Sequence, residues 1–242
     1  MIVQTPAVGQ PPEASLELPA LLRGDAAVME SWLAGFDARR LAWCLGVIVL
    51  GAGVFGTAVG IWRSPMQALY TAIKLPLIVL LTTLGNALLN GMLAPLLGLN
   101  LRFRQSLQAI LLSHTVAATI LGSLSPVMLF IAWNAPPLGP AAPRGTLGFE
   151  LVQLLTVTAI AFAGVMANVR LVQLLVRFGG AIVARRVLLA WLAGNLFLGA
   201  QLAWNLRPFI GAPELPVEFL RPNAFEGNFF ETVLFSLNRF LH

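Results

Sequence analysis

Asn86 and Asn90 lie four residues apart inside an apolar run, with Thr82 and Thr83 one turn earlier. On a helix that spacing puts both carboxamides on one face. Each amide carries two donors and an acceptor oxygen, and leaving them unmet in hydrocarbon is costly. The face must turn inward, either as glue between helices, where such bonds contribute about 0.6 to 2 kcal/mol each, or as the wall of a polar cavity. His114 is the only histidine within an apolar run, since His242 is the last residue. An imidazole at that depth could relay a proton, or sit neutral against Asn86, Asn90 or a backbone carbonyl. Metal binding would need at least two further ligands. A third group, Asn195, Gln201, Asn205 and Arg207, lies on the last long apolar run before Pro208. Arg207 there could reach lipid headgroups or pair with Glu150, Glu214 or Glu218.

Reaction chemistry is otherwise sparse. The motifs G-x-x-x-x-G-K-[ST], H-E-x-x-H, G-x-S-x-G and C-x-x-C-H do not occur, and no aspartate follows Asp37. A hydrolase built on paired carboxylates or two metals would need acids that the apolar runs do not hold. Cys44 is the only cysteine, so an intrachain disulfide and a cysteine-based metal cluster are excluded. The expectation is a chain with no cofactor, no metal and no catalytic residues.

The elements that must position these groups are membrane elements. Of the 242 residues, 58% are hydrophobic and 10% charged, against about 25% charged in soluble domains. A hydrocarbon core about 30 Å thick needs roughly 20 helical residues. Five runs supply them: Leu41 to Trp62, Leu75 to Leu97, Ser106 to Trp133, Leu147 to Asn168, and Val187 to Leu206. The fold class expected is all-α, a polytopic membrane helix bundle with five transmembrane helices and short interfacial helices.

Residues 1–20 are Pro-rich and read as a flexible tail, without the basic cluster and apolar core of a signal peptide. Residues 21–40 form a cytoplasmic helix, with Asp25 as N-cap and Val28, Trp32, Leu33 and Phe36 at helical spacing. It either lies in the membrane interface or packs on the rest of the protein. Residues 41–206 are the five-span domain. Within it Gly56 and Gly60 have the small-xxx-small spacing that permits close helix approach, in a self-dimer or otherwise. Met66 to Ile73 reads as a short connector, Pro126 as a kink or break, residues 134–146 as a Pro-rich loop, and 170–186 as an amphipathic connector. Trp191 and Trp204 suit the two interfaces. Residues 207–242 form an extracytoplasmic tail whose 225–241 segment is a docked or interfacial helix, because Glu226 and Glu231 oppose a sixth span.

Net charge is +5. The basic residues fall between apolar runs and form no stripe that would track phosphates, which argues against nucleic acid. They report orientation instead. The connectors on the side of the N-terminus hold Arg102, Arg104, Arg170, Arg177, Arg185 and Arg186, and the opposite ones hold Arg63, Lys74 and Arg144. Excess positive charge marks the cytoplasm, so the N-terminus is placed inside and the C-terminus in the periplasm or extracellular space.

The run KLPLIVLLTTLGNALLNGMLAPLLGLNLRFRQSLQAILLSHTVAATILGSLSPVMLFI, together with QLAWNLRPFIGAP and the later EGNFFETV, resembles a poorly characterised group of bacterial Yip1-like integral membrane proteins. The likeness covers Lys74 to Val233, and the chain departs from eukaryotic members in lacking their aspartate-tyrosine segment before the first span. The resemblance implies a non-catalytic role in membrane organisation or complex assembly. With the polar residues and the absent chemistry, it leads to an expected accessory or scaffold subunit of a bacterial inner-membrane complex. Its partners would be membrane lipids and another membrane protein or a second copy. The alternative is a transporter or channel for a small solute using a polar cavity near Asn86, Asn90 and His114.

Overall fold

In the computed structural model, residues 18–35, 37–99, 102–136, 147–207, 216–228 and 230 are described. They form six helices and no strand: α1 (Leu18–Arg23), α2 (Ala26–Ala34), α3 (Ala38–Gly60), α4 (Pro65–Leu96), α5 (Phe103–Asn134) and α6 (Leu147–Leu206). Four of these, α3 to α6, are long and apolar enough to cross a membrane. Leu50, Met92, Leu96, Phe130, Ile182 and Leu196 are at least two-thirds exposed on their outer faces. In water so much bare apolar surface would drive association; in a bilayer it is the face that meets lipid.

Asp25 caps α2, its carboxylate accepting from the Ala27 and Val28 amides. The cap fulfils the sequence expectation, and the helix packs on the bundle: Met29, Trp32 and Leu33 are buried. Trp32 meets Trp43 edge-on at 5.5 Å and carries the Arg40 guanidinium 5.2 Å from its ring centre. Glu30 pairs with Arg177 of α6 at 2.9 Å, and Gln108 of α5 donates to the Gly35 carbonyl at 3.0 Å.

Glycines let α3 lie against both of its neighbours. A β-carbon on Gly51 would stand 2.2 Å from the Ala118 carbonyl oxygen of α5, and one on Gly56 would stand 2.5 Å from the Thr71 oxygen of α4. Gly60 faces the Gln67 and Ala68 backbone in the same way. The Gly56 and Gly60 face is thus occupied by α4 of the same chain, which leaves no room there for a second copy.

Three local readings are corrected. Residues 66–73 are no separate connector, because Ser64 caps Gln67 and α4 runs unbroken from Pro65 through Pro76 to Leu96. The helix survives Pro76 because that residue is buried in the bundle, where packing outweighs one missing backbone bond. Likewise α5 continues through Pro126 to Asn134, which excludes a break there. The 170–186 segment keeps the expected amphipathic spacing, with Leu171, Leu174 and Leu175 buried and Arg177, Arg185 and Arg186 exposed, but it is no separate connector: it is helix on both sides of one residue, Gly180, whose φ of 73° and ψ of 171° suit glycine alone.

That residue decides the shape of α6. At about 1.5 Å per residue, its 60 residues would reach about 90 Å if straight, some three times a hydrocarbon core. Instead Phe149, near its start, lies beside Trp62, Arg177 reaches α2, and Asn205 and Arg207 come back beside Gln67 and Lys74. Both ends of α6 therefore sit where α3 hands over to α4, and Gly180 sits at the other end of the bundle. The arm 147–179 packs Val152 and Ala163 among Phe55, Trp62, Leu121 and Met128. The arm 181–206 packs Val187 and Trp191 against Ala87, Ala94 and Ile110.

The tail 1–17, Phe36, the loop 137–146, and the proposed helix 225–241 beyond Phe225–Asn228 and Phe230 lie outside the described residues.

Candidate functional site

The i, i+4 spacing of Asn86 and Asn90 turns both amides toward the arm 181–206, and both are 0% exposed. Asn86 Nδ2 donates to Asn195 Oδ1 at 2.7 Å and, more weakly, to the Trp191 carbonyl at 3.4 Å. Asn90 Nδ2 donates to the Asn86 carbonyl at 2.8 Å and to Asn86 Oδ1. The three amides thus form a relay in which Asn86 accepts from its own helix and donates to the next. This orientation is internally consistent, because turning the Asn86 amide over would set its NH₂ against that of Asn90. Asn195 is half-buried.

Gly194 makes this approach possible. A β-carbon there would lie 2.5 Å from Asn86 Oδ1, closer than two non-bonded atoms can stand. The spacing of Ala190 and Gly194, four residues apart, was the available sign, since small residues at i, i+4 mark a close helix contact. Sequence reasoning nominated Asn195 but missed Gly194 beside it.

Around the relay, Thr83 Oγ1 donates to the Val79 carbonyl at 2.7 Å, whereas Thr82 Oγ1, Asn90 Oδ1 and Trp191 Nε1 are buried without a partner. Trp191 is 0% exposed, so it is a core residue and not the interfacial anchor that its place in the run suggested; the packing of arm 181–206 on α4 encloses it. Amides have no acid–base or nucleophilic function near neutral pH. What this cluster can do is join helices and hold hydrogen-bonding groups at a defined depth.

His114 is not part of the relay. Its Nδ1 lies 3.0 Å from the Ile110 carbonyl of its own helix, so the tautomer protonated at Nδ1 donates there. Among the described residues no group of three or more His, Cys, Asp or Glu side chains could hold a metal ion.

The remaining nominated residues gather at the end of the bundle. Gln201 Nε2 donates to Asn205 Oδ1 at 3.3 Å. Arg207 does not pair with Glu218: its guanidinium lies 4.7 Å over the Trp204 ring, and the Glu218 carbonyl instead accepts from Lys74 Nζ at 3.4 Å. Glu214 and the Glu150 side chain lie outside the described residues. Burial, and secondly the nearby charge of Arg221, lower the Arg207 pKa below its ordinary value, though an arginine keeps its proton throughout the physiological range.

No protein-family model matches this chain, and no curated protein or solved structure matches it either.

Proposed function

We propose that this chain is a non-catalytic accessory or scaffold subunit of a bacterial inner-membrane complex. The observation that carries this reading is the amide relay between α4 and α6. Asn86 and Asn90 of α4 are fully buried, and Asn86 bonds across to the half-buried Asn195 of α6, an arrangement suited to bracing helices. Its broad apolar outer faces are then available to lipid and to a partner membrane protein or second copy.

The accompanying topology is five crossings, with the N-terminus in the cytoplasm and the C-terminus outside. The reversal of α6 at Gly180 supports it, as each arm exceeds the roughly 20 residues that a crossing needs. So does the basic character of the end that carries α2, where Arg177 binds Glu30. Membership in a Yip1-like group belongs to the same proposal and rests on the quoted sequence blocks.

A solute path is the second reading, favoured by Asn90 Oδ1 and Trp191 Nε1, buried and without partners in the chain. Cysteine accessibility separates the two. In a Cys44→Ser background, Asn90→Cys should resist a membrane-impermeant maleimide added from either side of sealed vesicles. Purification in mild detergent should then return a stoichiometric membrane companion or a defined oligomer. Rapid labelling at position 90, or a protein that is monomeric and alone after native extraction, would overturn the accessory role.

A further inference from the structure

We propose that a cavity of about 240 Å³ between the first turns of α4, the end of α6 and the 216–222 segment binds a phosphate-class anion. The source would be the phosphoryl group of a lipid headgroup or inorganic phosphate. The proposal is independent of the accessory reading.

Three of the four charged side chains on the cavity wall are cationic, beside the apolar Leu206, Pro216, Phe219 and Pro222. Lys74, Arg207 and Arg221 line it, with Glu218 as the only acid among the described lining residues, beside the neutral Gln67 and Asn205. Like charges gather in a folded chain at a cost, so a neighbouring anion is the simplest means of stabilising them. Among the described residues, none of the three cations has a carboxylate partner within ion-pair reach. Lys74 Nζ lies 5.0 Å from the Phe219 ring and 5.7 Å from the Tyr70 ring, with one carbonyl as its acceptor. Arg207 and Arg221 share one aromatic residue, their guanidinium carbons 4.7 Å and 5.1 Å from the Trp204 ring.

Two guanidinium groups held against one indole still carry N–H groups that need acceptors elsewhere. For Arg221 those groups are unsatisfied: Nε and Nη2 are buried and have no acceptor. Nε and a terminal nitrogen of one guanidinium form the fork that engages two oxygens of a phosphate. Arg207 is also held at φ 39°, the one described residue other than glycine with a left-handed backbone. Such a conformation is strained for a residue with a β-carbon, and strain of this kind gathers where a side chain is held for use.

Depth agrees with the chemistry. Lys74 immediately precedes the apolar run of α4, and Arg207 immediately follows that of α6. Tyr70, Trp204 and Phe219 surround them, as aromatic side chains do where hydrocarbon meets headgroups. An anion in the cavity would share it with all three cations, while acyl chains remained against the apolar faces below.

The test is thermal unfolding of the full chain, purified in nonionic detergent and followed by tryptophan fluorescence. Inorganic phosphate, dihexanoyl phosphatidate or dihexanoylglycerol is titrated against chloride at constant ionic strength. A ligand that binds only the folded chain raises the midpoint in a saturable way. Phosphatidate should do so and dihexanoylglycerol should not. Equal potency of inorganic phosphate would assign the site to the free anion, and much weaker potency to the lipid headgroup. Arg221→Gln and Arg207→Gln should each weaken the apparent affinity at least tenfold, and Arg221→Lys should restore part of it. The proposal fails if neither phosphate compound raises the wild-type midpoint above the chloride control, if dihexanoylglycerol matches phosphatidate, or if both Gln variants titrate like the wild type. Should Arg221→Gln not fold, the wild-type comparison and Arg207→Gln still decide.

Discussion

Asn86 and Gly194 should behave as one energetic unit, because the space that Gly194 leaves empty is where the Asn86 carboxamide oxygen sits. Asn86→Ala removes the bonds to Asn195 and to the Trp191 carbonyl and one bond received from Asn90. At an average near 0.6 kcal/mol for hydrogen bonds within membranes, the loss is about 2 kcal/mol. Gly194→Ala in the native chain brings a β-carbon to 2.5 Å from that oxygen, so the amide must swing away and the same bonds are lost. The gain in helix propensity on replacing glycine, about 1 kcal/mol, leaves a net cost of about 1 kcal/mol. In the Asn86→Ala background the obstruction is gone, and Gly194→Ala should instead stabilise by about 1 kcal/mol. The expected coupling is therefore about 2 kcal/mol. Equilibrium unfolding by sodium dodecyl sulfate in mixed micelles, applied to wild type, both single variants and the double variant, measures it. If the two effects add to within about 0.5 kcal/mol, as independent sites do, the relay is not held in the way described.

Gly51→Ala should destabilise by at least the 1–3 kcal/mol typical of overpacking, since its β-carbon would meet the α5 backbone, whereas Gly46→Ala, which faces open space, should be neutral or slightly stabilising; the same unfolding assay compares them. Gly180→Ala places a β-carbon at φ 73° and should cost about 1–2 kcal/mol; an unchanged unfolding curve would mean that α6 does not turn there. Asp25→Ala should loosen α2 by about 1 kcal/mol, visible as faster amide exchange at Ala27 and Val28 with little change in the transmembrane helices. Arg177→Ala should shift stability by less than about 1 kcal/mol, because its pair with Glu30 is about half exposed on both sides and water screens such pairs.

Several features could be read from residue types alone. Asn86 and Asn90 were legible as an inward face because i, i+4 periodicity and the cost of a bare amide in lipid both act along one helix. Asp25 was legible as a cap for the same reason, since its partners are two and three residues away. The Met66 to Ile73 connector was misread because Lys74 and Pro76 carry the local signature of a helix boundary. Only the buried setting of both residues, with Lys74 3% exposed, shows why the helix persists. In residues 170–186 the leucine spacing marks the buried stripe, but the turn is not legible, because the decisive residue, Gly180, resembles its neighbour Gly179 in sequence and differs in backbone conformation.

The chain's composition and the length of its apolar runs determined that it is a helical membrane protein, because desolvating a peptide group is so costly that every long apolar segment must close its own hydrogen bonds. Which helix receives the Asn86 amide, why Gly194 must stand opposite it, and that Lys74, Arg207 and Arg221 converge on one cavity were decided only by the tertiary fold. Most of those contacts join residues more than a hundred positions apart, and no periodicity within a single helix encodes which distant face it will meet.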